Sequence, residues 1–297
     1  AESLKDAVGK IEIVQADIRD PESVRKACRG MDSVVHLAYI NGTQFFYEKP
    51  ELVLEVAVKG IVNVIDGCIK ENVKEIAIAS SSEVYNMPPK IPTDETAPLM
   101  IPDPLNPRYS YSAGKIISEM MTINYGRKHF DRALIFRPHN VYGPDMGWEH
   151  VIPQLVLRIK KIAAATTENK IKVPIQGTGR ETRAFIYIDD FIDGLMLMLE
   201  KGEHLGIYHI GTMEETPVAD VAKEIGNYFG RQIEIMAGEI AKGSPTRRCP
   251  DTTKLKKLGF KPKTPFKEGL RITTRWYDKN SEKQPRISQD RGKLYEK

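Results

Sequence analysis

The chain has few of the residues that build disulfide frameworks or metal sites. Its 297 residues include three cysteines, which stand far apart at Cys28, Cys68 and Cys249. Because they form no C-x-x-C pair, they indicate neither a zinc site nor a disulfide framework. This cysteine usage is typical of a protein of the reducing cytosol, and we expect no metal site.

The chain also lacks long apolar runs and a strong excess of either charge. No segment approaches the roughly 18 consecutive apolar residues that a membrane span needs, and Ala1 does not open a signal peptide. The formal net charge of +4 is small for this length and does not suggest nucleic-acid binding. The densest basic stretch, residues 254–263, is interpreted as a solvated helix end. We therefore expect a cytoplasmic protein that binds neither a membrane nor a nucleic acid.

What the sequence does contain is a regular alternation of strand-like and helix-like runs. In the first half, strands are predicted at residues 11–14, 33–37, 74–80 and 132–137, and helices at residues 21–29, 50–70 and 111–128. In the less regular second half, helices are predicted at residues 153–164, 190–201 and 218–229, and strands at residues 184–187 and 206–210. Alternation at this spacing is typical of βαβ units and predicts an α/β fold with a parallel sheet.

A tyrosine and a lysine stand four residues apart in the predicted helix at residues 111–128. Tyr111 and Lys115 therefore share one helix face. A lysine ammonium beside a phenol lowers the pKa of the phenol and makes it a general base near neutral pH. The Y-x-x-x-K pattern alone is weak, because it also arises by chance in surface helices. It gains weight from the motifs around it.

Polar side chains follow two of the predicted strands at their carboxyl ends, where ligands bind in parallel sheets. These segments read Ser80-Ser81-Ser82-Glu83-Val84-Tyr85 and Arg137-Pro138-His139-Asn140-Val141-Tyr142-Gly143-Pro144. By itself, a serine run would be interpreted as a capped loop. Two more motifs lie further along, Arg183-Ala184-Phe185-Ile186-Tyr187-Ile188-Asp189-Asp190 and Arg247-Arg248-Cys249-Pro250-Asp251.

In this order, the motifs resemble the extended short-chain dehydrogenase/reductase family of nucleotide-sugar epimerases, dehydratases and decarboxylases. The resemblance covers about residues 8–277, and the ordered set is highly specific although each motif is modest alone. It implies a Rossmann-type, doubly wound parallel sheet at residues 1–142 that binds NAD, and a smaller substrate-binding lobe at residues 143–277. A strand near residues 206–210 would return to the sheet, and residues 278–297 would form a polar tail.

The resemblance implies a catalytic or cofactor-binding role for several residues. Tyr111 would take the proton of the sugar 4-hydroxyl as hydride leaves C4 for NAD. Lys115 would bind the nicotinamide ribose and lower the pKa of Tyr111, and Ser81 would hydrogen-bond the 4-oxygen. The expected NAD site comprises Asp17, Ile18, Leu37, Ala38, Ser80, Tyr111, Lys115 and Pro138.

A second set of residues matches positions that hold the nucleotide-sugar substrate in the family. This set comprises Ser81, Ser82, Asn140, Arg183, Arg248 and Asp251. Arginine suits a diphosphate because its planar guanidinium pairs with two phosphate oxygens. For Arg183 an alternative stays open, an ion pair with Asp190 that joins the two lobes.

Glu83 bears on the reaction that follows oxidation at C4. A plain 4-epimerase needs no acid or base at the position of Glu83. A carboxylate at this position can remove the acidic C5 proton beside a 4-ketone, as 4,6-dehydration requires. The triplet Ser81-Ser82-Glu83 is similar to the Thr-Ser-Glu of GDP-mannose 4,6-dehydratases and UDP-glucuronate decarboxylases. His139-Asn140 and residues 268–273 instead resemble GDP-mannose 3,5-epimerase. The choice among these reactions stays open.

The sequence departs from the family pattern in two places. Ala57 stands where the family usually has asparagine, on the cofactor side of the pocket. The strand, G-x-x-G-x-x-G turn and helix that open a Rossmann half are not found either, and Gly9 is the only glycine before Gly30. The central strand of the sheet would lie in that segment. We therefore expect the natural protein to carry roughly 30–50 residues ahead of Ala1.

The expected function is that of an NAD-dependent nucleotide-sugar epimerase/dehydratase acting on a nucleotide-diphosphate sugar. Three alternatives stay open: a decarboxylase of the same family, an NADP-dependent reductase of a keto sugar or small carbonyl, and a non-catalytic dinucleotide-binding relative. The intact set of Ser81, Tyr111 and Lys115 disfavours the non-catalytic relative. The resemblance also suggests a homodimer formed through the helices at residues 50–70 and 111–128.

Overall fold

The computed structural model describes residue 7, residues 9–239 and residues 245–285. The helices are α1 (Pro21–Cys28), α2 (Thr43–Glu48), α3 (Pro50–Lys70), α4 (Ser110–His129), α5 (Val151–Ala164), α6 (Ile188–Lys201), α7 (Val218–Tyr228), α8 (Thr253–Lys257) and α9 (Phe266–Lys279). The strands are β1 (Ser33–His36), β2 (Glu75–Ala79), β3 (Arg132–Pro138), β4 (Val141–Tyr142), β5 (Lys170–Pro174), β6 (Thr182–Ala184), β7 (Ile186–Tyr187), β8 (Gly206–Ile210), β9 (Glu215–Pro217), β10 (Gln232–Met236) and β11 (Arg247–Arg248).

Strands β1, β2, β3 and β8 form a parallel sheet in that order. One row across it consists of Val35, Ala77, Leu134 and Gly206. The inner strands are almost entirely apolar because helices cover both faces of the sheet. Helices α1 and α3 pack on one face, and α6 and α8 pack on the other. The predicted α/β class with a doubly wound parallel sheet is confirmed.

Helices α1 and α3 begin where the sequence supplies start signals. Asp20 caps α1 by accepting a hydrogen bond of 3.1 Å from the backbone N–H of Glu22, and Pro21 lies in the first turn. Helix α3 also begins with a proline and ends with a lysine, which suits the negative end of the helix dipole. Helix α4 packs along α3, and its first turns therefore reach the carboxyl ends of β1 and β2.

The second half of the chain builds its own core around α5, α7 and α9. The buried sides of these helices pack against the parallel pair β5–β10. Next to this core, β11, β6 and β9 form a small sheet. In that sheet Arg248 of β11 pairs in register with Arg183 of β6. The two arginines that the sequence singled out therefore lie on neighbouring strands.

The prediction of a strand at residues 11–14 is wrong. Residues 12–17 belong to no helix or strand, and the side chains of Ile13 and Val14 are 66% and 56% exposed. A strand needs a neighbour that pairs its backbone groups and buries one face. Among the described strands, none lies beside β1 on its outer side.

Most other predicted elements have nearly the predicted bounds. The sequence did not predict α2, α9, the pair β5–β10 or the short strands β4, β9 and β11. Helix α8 overlaps the basic stretch at residues 254–263 that was interpreted as a helix end, and the strand expected at residues 184–187 is divided into β6 and β7. Within the predicted tail, α9 continues to Lys279 and a short 3-10 turn follows at residues 281–283. Residues 286–297 of that tail lie outside the described residues.

Two further findings concern the described ranges as a whole. No helix within them has the length and apolar character needed to cross a membrane. In the same ranges, no three His, Cys, Asp or Glu side chains are grouped so that they could hold a metal ion.

Candidate active site

The carboxyl ends of β1, β2 and β3 lie along one edge of the central sheet, as parallel strands require. Strand β1 leads into Leu37 and Ala38, whose side chains are exposed. Strand β2 leads into the serine run that begins at Ser80, and β3 ends at Pro138. The cofactor residues predicted after these three strands therefore share one edge, to which α4 brings Tyr111 and Lys115.

Tyr111 is buried at this edge between two aromatic rings. Its ring stacks on Phe46 of α2 with centroids 4.7 Å apart, and it meets the ring of Tyr39 edge to face. Burial raises the pKa of Tyr111 to about 12, and the nearby Ser81 hydroxyl acts in the opposite direction through hydrogen bonding. The structure therefore brings Ser81 and Tyr111 together.

Lys115 lies one helical turn further along α4, over the face of the Tyr39 ring. Its Nζ donates a hydrogen bond of 2.6 Å to the carbonyl oxygen of Ala79 and lies 5.7 Å from the centroid of the Tyr111 ring. Burial lowers the pKa of Lys115 to about 7, against the attraction of Glu119. Burial dominates the pKa of the phenol, and Nζ of Lys115 is bonded to Ala79. The expected lowering of the Tyr111 pKa by Lys115 stays a prediction.

Three arginines from separate parts of the chain surround Glu83. Nη1 of Arg248 donates a hydrogen bond of 2.7 Å to Oε1 of Glu83, and Nη2 of Arg108 lies 3.8 Å from Oε2. Arg183 adds a third positive charge from the strand next to Arg248. Burial raises the pKa of Glu83, but the arginines outweigh this effect and hold the pKa below its ordinary value. Glu83 is therefore an ionised carboxylate in a site with excess positive charge.

A cavity of about 210 Å³ opens beside Arg183 in the C-terminal lobe. Its polar lining consists of Glu149, Gln154, Arg158, Gln176, Glu181 and Arg183. The guanidinium of Arg183 donates hydrogen bonds of 2.8 and 2.9 Å to the carbonyl oxygens of Thr182 and Pro245. Arg183 lines this cavity, and its positive charge also lowers the pKa of Glu83. Arg183 therefore belongs both to the cavity and to the site around Tyr111.

The alternative ion pair between Arg183 and Asp190 is not formed. Oδ1 of Asp190 accepts a hydrogen bond of 2.8 Å from the backbone N–H of Lys263, and Oδ2 accepts one of 2.9 Å from that of Thr264. Asp190 therefore joins the loop before α9 to the start of α6 through hydrogen bonds. The Arg183 guanidinium lies beside the cavity instead.

A buried ion pair between Arg137 of β3 and Glu119 of α4 lies behind the site. The guanidinium donates hydrogen bonds of 2.8 and 2.6 Å to the carboxylate, and the two side chains are 2% and 1% exposed. Ser80 also donates to Glu119, and Arg137 donates to the hydroxyl of Tyr85. Since the Ser80 hydroxyl is part of this network, its contact with a cofactor stays a prediction.

Asp17 and Ile18 lie near the site but have local partners. Asp17 forms an ion pair of 2.6 Å with Arg19, and this contact lowers the pKa of its carboxyl. Ile18 packs against α3 so closely that a Cβ on Gly60 would collide with it. Their assignment to the adenine end of the cofactor stays a prediction.

Two predicted substrate residues use their polar groups within the fold, and a third is buried. Asn140, with a φ of 42°, donates a hydrogen bond of 3.2 Å to the carbonyl oxygen of Ala184. Asp251 accepts a hydrogen bond of 2.8 Å from the backbone N–H of Thr253. Ser82 is buried at the start of the 3-10 turn that carries Glu83. Their contacts with substrate stay predictions.

Three residues of the site were missed by the reasoning from sequence. Arg108 lies three positions before Tyr111, so a search for cations one helical turn from the Y-x-x-x-K motif would have found it. Tyr39 and Phe46 had no such signal, because they reach Tyr111 only through the packing of α2 and the end of β1 against α4. The cavity residues likewise come from separate elements that only the fold brings together.

Several known proteins are similar to this chain. UDP-glucuronic acid decarboxylase 5 of Arabidopsis thaliana is 30% identical over 274 residues, which cover 91% of this chain and 76% of that protein. The dTDP-glucose 4,6-dehydratase of Streptomyces venezuelae, with NAD bound, has a TM-score of 0.82 at 26% identity, over 95% of this chain and 84% of that one. The UDP-glucose 4-epimerase of Thermus thermophilus, in complex with NAD, has a TM-score of 0.76 at 25% identity, over 92% and 87%.

A doubly wound parallel sheet with a tyrosine and a lysine on one helix at its carboxyl edge defines the extended short-chain dehydrogenase/reductase class. The chain belongs to the NAD dependent epimerase/dehydratase family, which it matches over residues 1–211. Members of this family act on nucleotide sugars as epimerases, dehydratases and decarboxylases. Solved structures of similar fold contain NAD or NADPH.

Proposed function

We propose that the protein is a nucleotide-sugar epimerase/dehydratase that oxidises C4 of the sugar transiently, with NAD as cofactor. The observation that carries this proposal is the meeting of Ser81, Tyr111 and Lys115 at the carboxyl edge of the sheet, next to the Glu83 carboxylate. The Ser81 hydroxyl is close enough to Tyr111 to lower its pKa through hydrogen bonding. The two hydroxyls are therefore placed to hold the oxygen of one sugar hydroxyl between them.

The residues at this edge fit a dinucleotide. Leu37, which is 57% exposed, and Ala38 offer an open apolar surface at the end of β1. The Lys115 ammonium supplies hydrogen-bond donors that suit ribose hydroxyls. A bound NAD would supply the hydride acceptor for the oxidation at C4. The residues proposed to hold it are Asp17, Ile18, Leu37, Ala38, Ser80, Tyr111, Lys115 and Pro138.

In this proposal Tyr111 takes the proton of the sugar 4-hydroxyl. Because burial raises the pKa of Tyr111 to about 12, the phenol needs a neighbour that favours its ionised form near neutral pH. The Lys115 ammonium, whose pKa is lowered to about 7, would favour the phenolate by its positive charge. Ser81 would orient the phenol by hydrogen bonding to it.

Glu83 is proposed as the base that removes the C5 proton after C4 is oxidised. In its pair with Arg248 the carboxylate is ionised but weakly basic, because the arginines hold its pKa low. A substrate diphosphate that attracts Arg248 would weaken the pair and make Glu83 more basic. This arrangement supports 4,6-dehydration or 3,5-epimerisation rather than plain 4-epimerisation, which needs no carboxylate here.

One observation favours a second candidate, a nucleotide-sugar decarboxylase. Arg108 and Arg248 approach Glu83 from two sides, so an acidic substituent on C5 of the sugar would find guanidinium groups on both sides. A 4-keto sugar acid is a β-keto acid and loses carbon dioxide without a base at C5. The similarity to a UDP-glucuronic acid decarboxylase agrees with this candidate.

The nucleotide half of the substrate is assigned to the cavity beside Arg183. Its polar lining suits the edges of a base, and the excess positive charge of Arg108, Arg183 and Arg248 over Glu83 complements a diphosphate. Ser82, Asn140 and Asp251 complete the proposed substrate set.

We also propose a homodimer formed through α3 and α4, which the exposed apolar side chains of Ile117 and Met120 on α4 support. Light scattering at two protein concentrations tests this.

Incubation with UDP-, GDP-, CDP- and dTDP-sugars, followed by mass spectrometry and chromatography, tests the proposed function. Dehydration loses water, decarboxylation loses carbon dioxide, and epimerisation changes the retention time but not the mass. Tyr111→Phe should lose nearly all turnover while nucleotide-sugar affinity stays within a few-fold. NAD binding without turnover of any sugar would favour the non-catalytic relative, and NADPH-dependent reduction of a small carbonyl would favour the reductase.

A further inference from the structure

Tyr39, the third residue after β1, contacts both Tyr111 and Lys115. The Nζ of Lys115 lies 3.8 Å from the centroid of the Tyr39 ring. The rings of Tyr39 and Tyr111 meet edge to face, with centroids 5.1 Å apart and planes at 82°. The Tyr39 hydroxyl donates a hydrogen bond of 3.3 Å to the backbone carbonyl oxygen of Tyr111. One side chain therefore touches the cation, the phenol ring and the backbone of the predicted catalytic pair.

A glycine makes room for this tyrosine. Gly114 lies on α4 between Tyr111 and Lys115, and a Cβ there would collide with the Tyr39 hydroxyl and with the methyl group of Ala57. Glycine at position 114 thus leaves room for the Tyr39 ring, and a side chain at this position would displace Tyr39 from α4.

We propose that Tyr39 is a positioning residue that keeps Lys115 protonated and holds Tyr111 in place for proton transfer. The proposal rests on the proposed function, because it assigns Tyr39 to the proton chemistry of these two residues. The face of an aromatic ring attracts a cation, and the attraction is stronger where water is excluded. Lys115 is buried, so the Tyr39 ring opposes the loss of charge that burial favours.

Besides Tyr39, three ionisable side chains face the Lys115 ammonium. On α4, Tyr111 is neutral below its raised pKa, and Glu119 attracts the ammonium but is also bonded to Arg137. On the β1 side, burial lowers the pKa of His36 to about 4, so this imidazole is neutral where Lys115 titrates. The Tyr39 ring is therefore the contact of the Lys115 ammonium that can be removed without breaking the ion pair between Glu119 and Arg137.

Two substitutions separate the ring of Tyr39 from its hydroxyl. Tyr39→Leu removes the ring face and should lower the pKa of Lys115 by about 1 pH unit, because the ammonium loses its cation–π contact. Tyr39→Phe keeps the ring face and should leave that pKa nearly unchanged, while the loss of the bond to the Tyr111 carbonyl should lower kcat a few-fold. Tyr47→Leu is the matched control, since Tyr47 lies on α2 with its side chain 43% exposed.

The pKa is measured by NMR on protein that carries ¹³C-labelled lysine, with the Lys115 signal assigned by its loss in Lys115→Met. The alkaline limb of the kcat/KM profile should move with the NMR value in Tyr39→Leu. An unchanged Lys115 titration in folded Tyr39→Leu protein, or equal shifts in the Leu and Phe variants, would overturn the proposal. The NMR titration needs no substrate. A failure of the proposed function would therefore appear in the turnover assays and leave this result standing.

Discussion

Arg248 donates a hydrogen bond of 2.7 Å to Glu83, although the two residues lie 165 positions apart in the chain. The pair joins the turn after β2 to the small sheet of the C-terminal lobe. It also opposes the proposed chemistry, because a carboxylate bound to a guanidinium is a weak base. In the proposed mechanism, removal of the C5 proton therefore requires that the substrate weaken the hydrogen bond between Arg248 and Glu83.

Glu83→Gln is expected to stop exchange of the C5 proton while oxidation at C4 persists. The amide keeps the shape of the side chain but cannot accept the C5 proton as a base. Deuterium wash-in at C5, followed by mass spectrometry during turnover in heavy water, measures the effect. Glu215→Gln is the matched control, because Glu215 forms a similar pair of 2.5 Å with the neighbouring Arg247. Unchanged turnover in Glu83→Gln would point to 4-epimerisation or decarboxylation.

Arg183→Gln should raise KM for the nucleotide sugar about tenfold or more, since a hydrogen bond to a charged group is lost. The value of kcat should change only a few-fold, because Arg183 is assigned to binding rather than to the reacting atoms. Steady-state kinetics with the best substrate of the panel measure both quantities. Arg180→Gln, at an exposed position three residues away, should change neither. A fall in kcat at constant KM would refute the assignment of Arg183.

Glu119→Gln should lower the free energy of unfolding by roughly 3 kcal/mol, because it leaves the buried Arg137 charge without a carboxylate. Urea unfolding followed by circular dichroism measures the change. The control is Glu75→Gln, which breaks the more exposed pair of 2.8 Å with Arg132 and should cost less than about 1 kcal/mol. Equal losses of unfolding free energy in the two variants would mean that the buried pair of Arg137 and Glu119 is no more costly to break than an exposed pair.

Lys115 should make the protein more stable as the pH rises above 7. Burial lowers its pKa from 10.5 in the ordinary state to about 7 in the folded state. Between these values the unfolded chain binds more protons, so the free energy of unfolding rises by about 1.4 kcal/mol per pH unit from this group. Lys115→Met removes this contribution. Urea unfolding of both proteins at pH 7.5 and 8.5 measures it, and parallel pH dependences would contradict the lowered pKa.

Much of the fold follows from local signals in the sequence. Helix α3 has the predicted bounds because Pro50 and Lys70 mark its two ends, and the inner strands are recognisable because both their faces are buried. An apolar run alone is not sufficient, as residues 11–14 show. Such a run becomes a strand only when another strand pairs with it, and that condition cannot be read from the run itself.

The site was predictable to the extent that its residues are close in sequence. Tyr111 and Lys115 share a face because they are four positions apart on a helix. Their neighbour Tyr39 and the pairing of Glu83 with Arg248 depend on how distant elements pack. The pKa values depend on burial for the same reason, and burial raises the pKa of Tyr111 to about 12, an effect that the spacing of Tyr111 and Lys115 does not show.

The three arginines around Glu83 come from the 3-10 turn Pro107–Tyr109 before α4, from β6 and from β11. None of these segments can concentrate positive charge at the site until the whole chain has folded. Binding of the proposed nucleotide-diphosphate substrate would therefore favour the folded state, by an amount that grows with the logarithm of the substrate concentration. Under this proposal the protein is more stable when the sugar nucleotide is abundant and less stable when it is scarce.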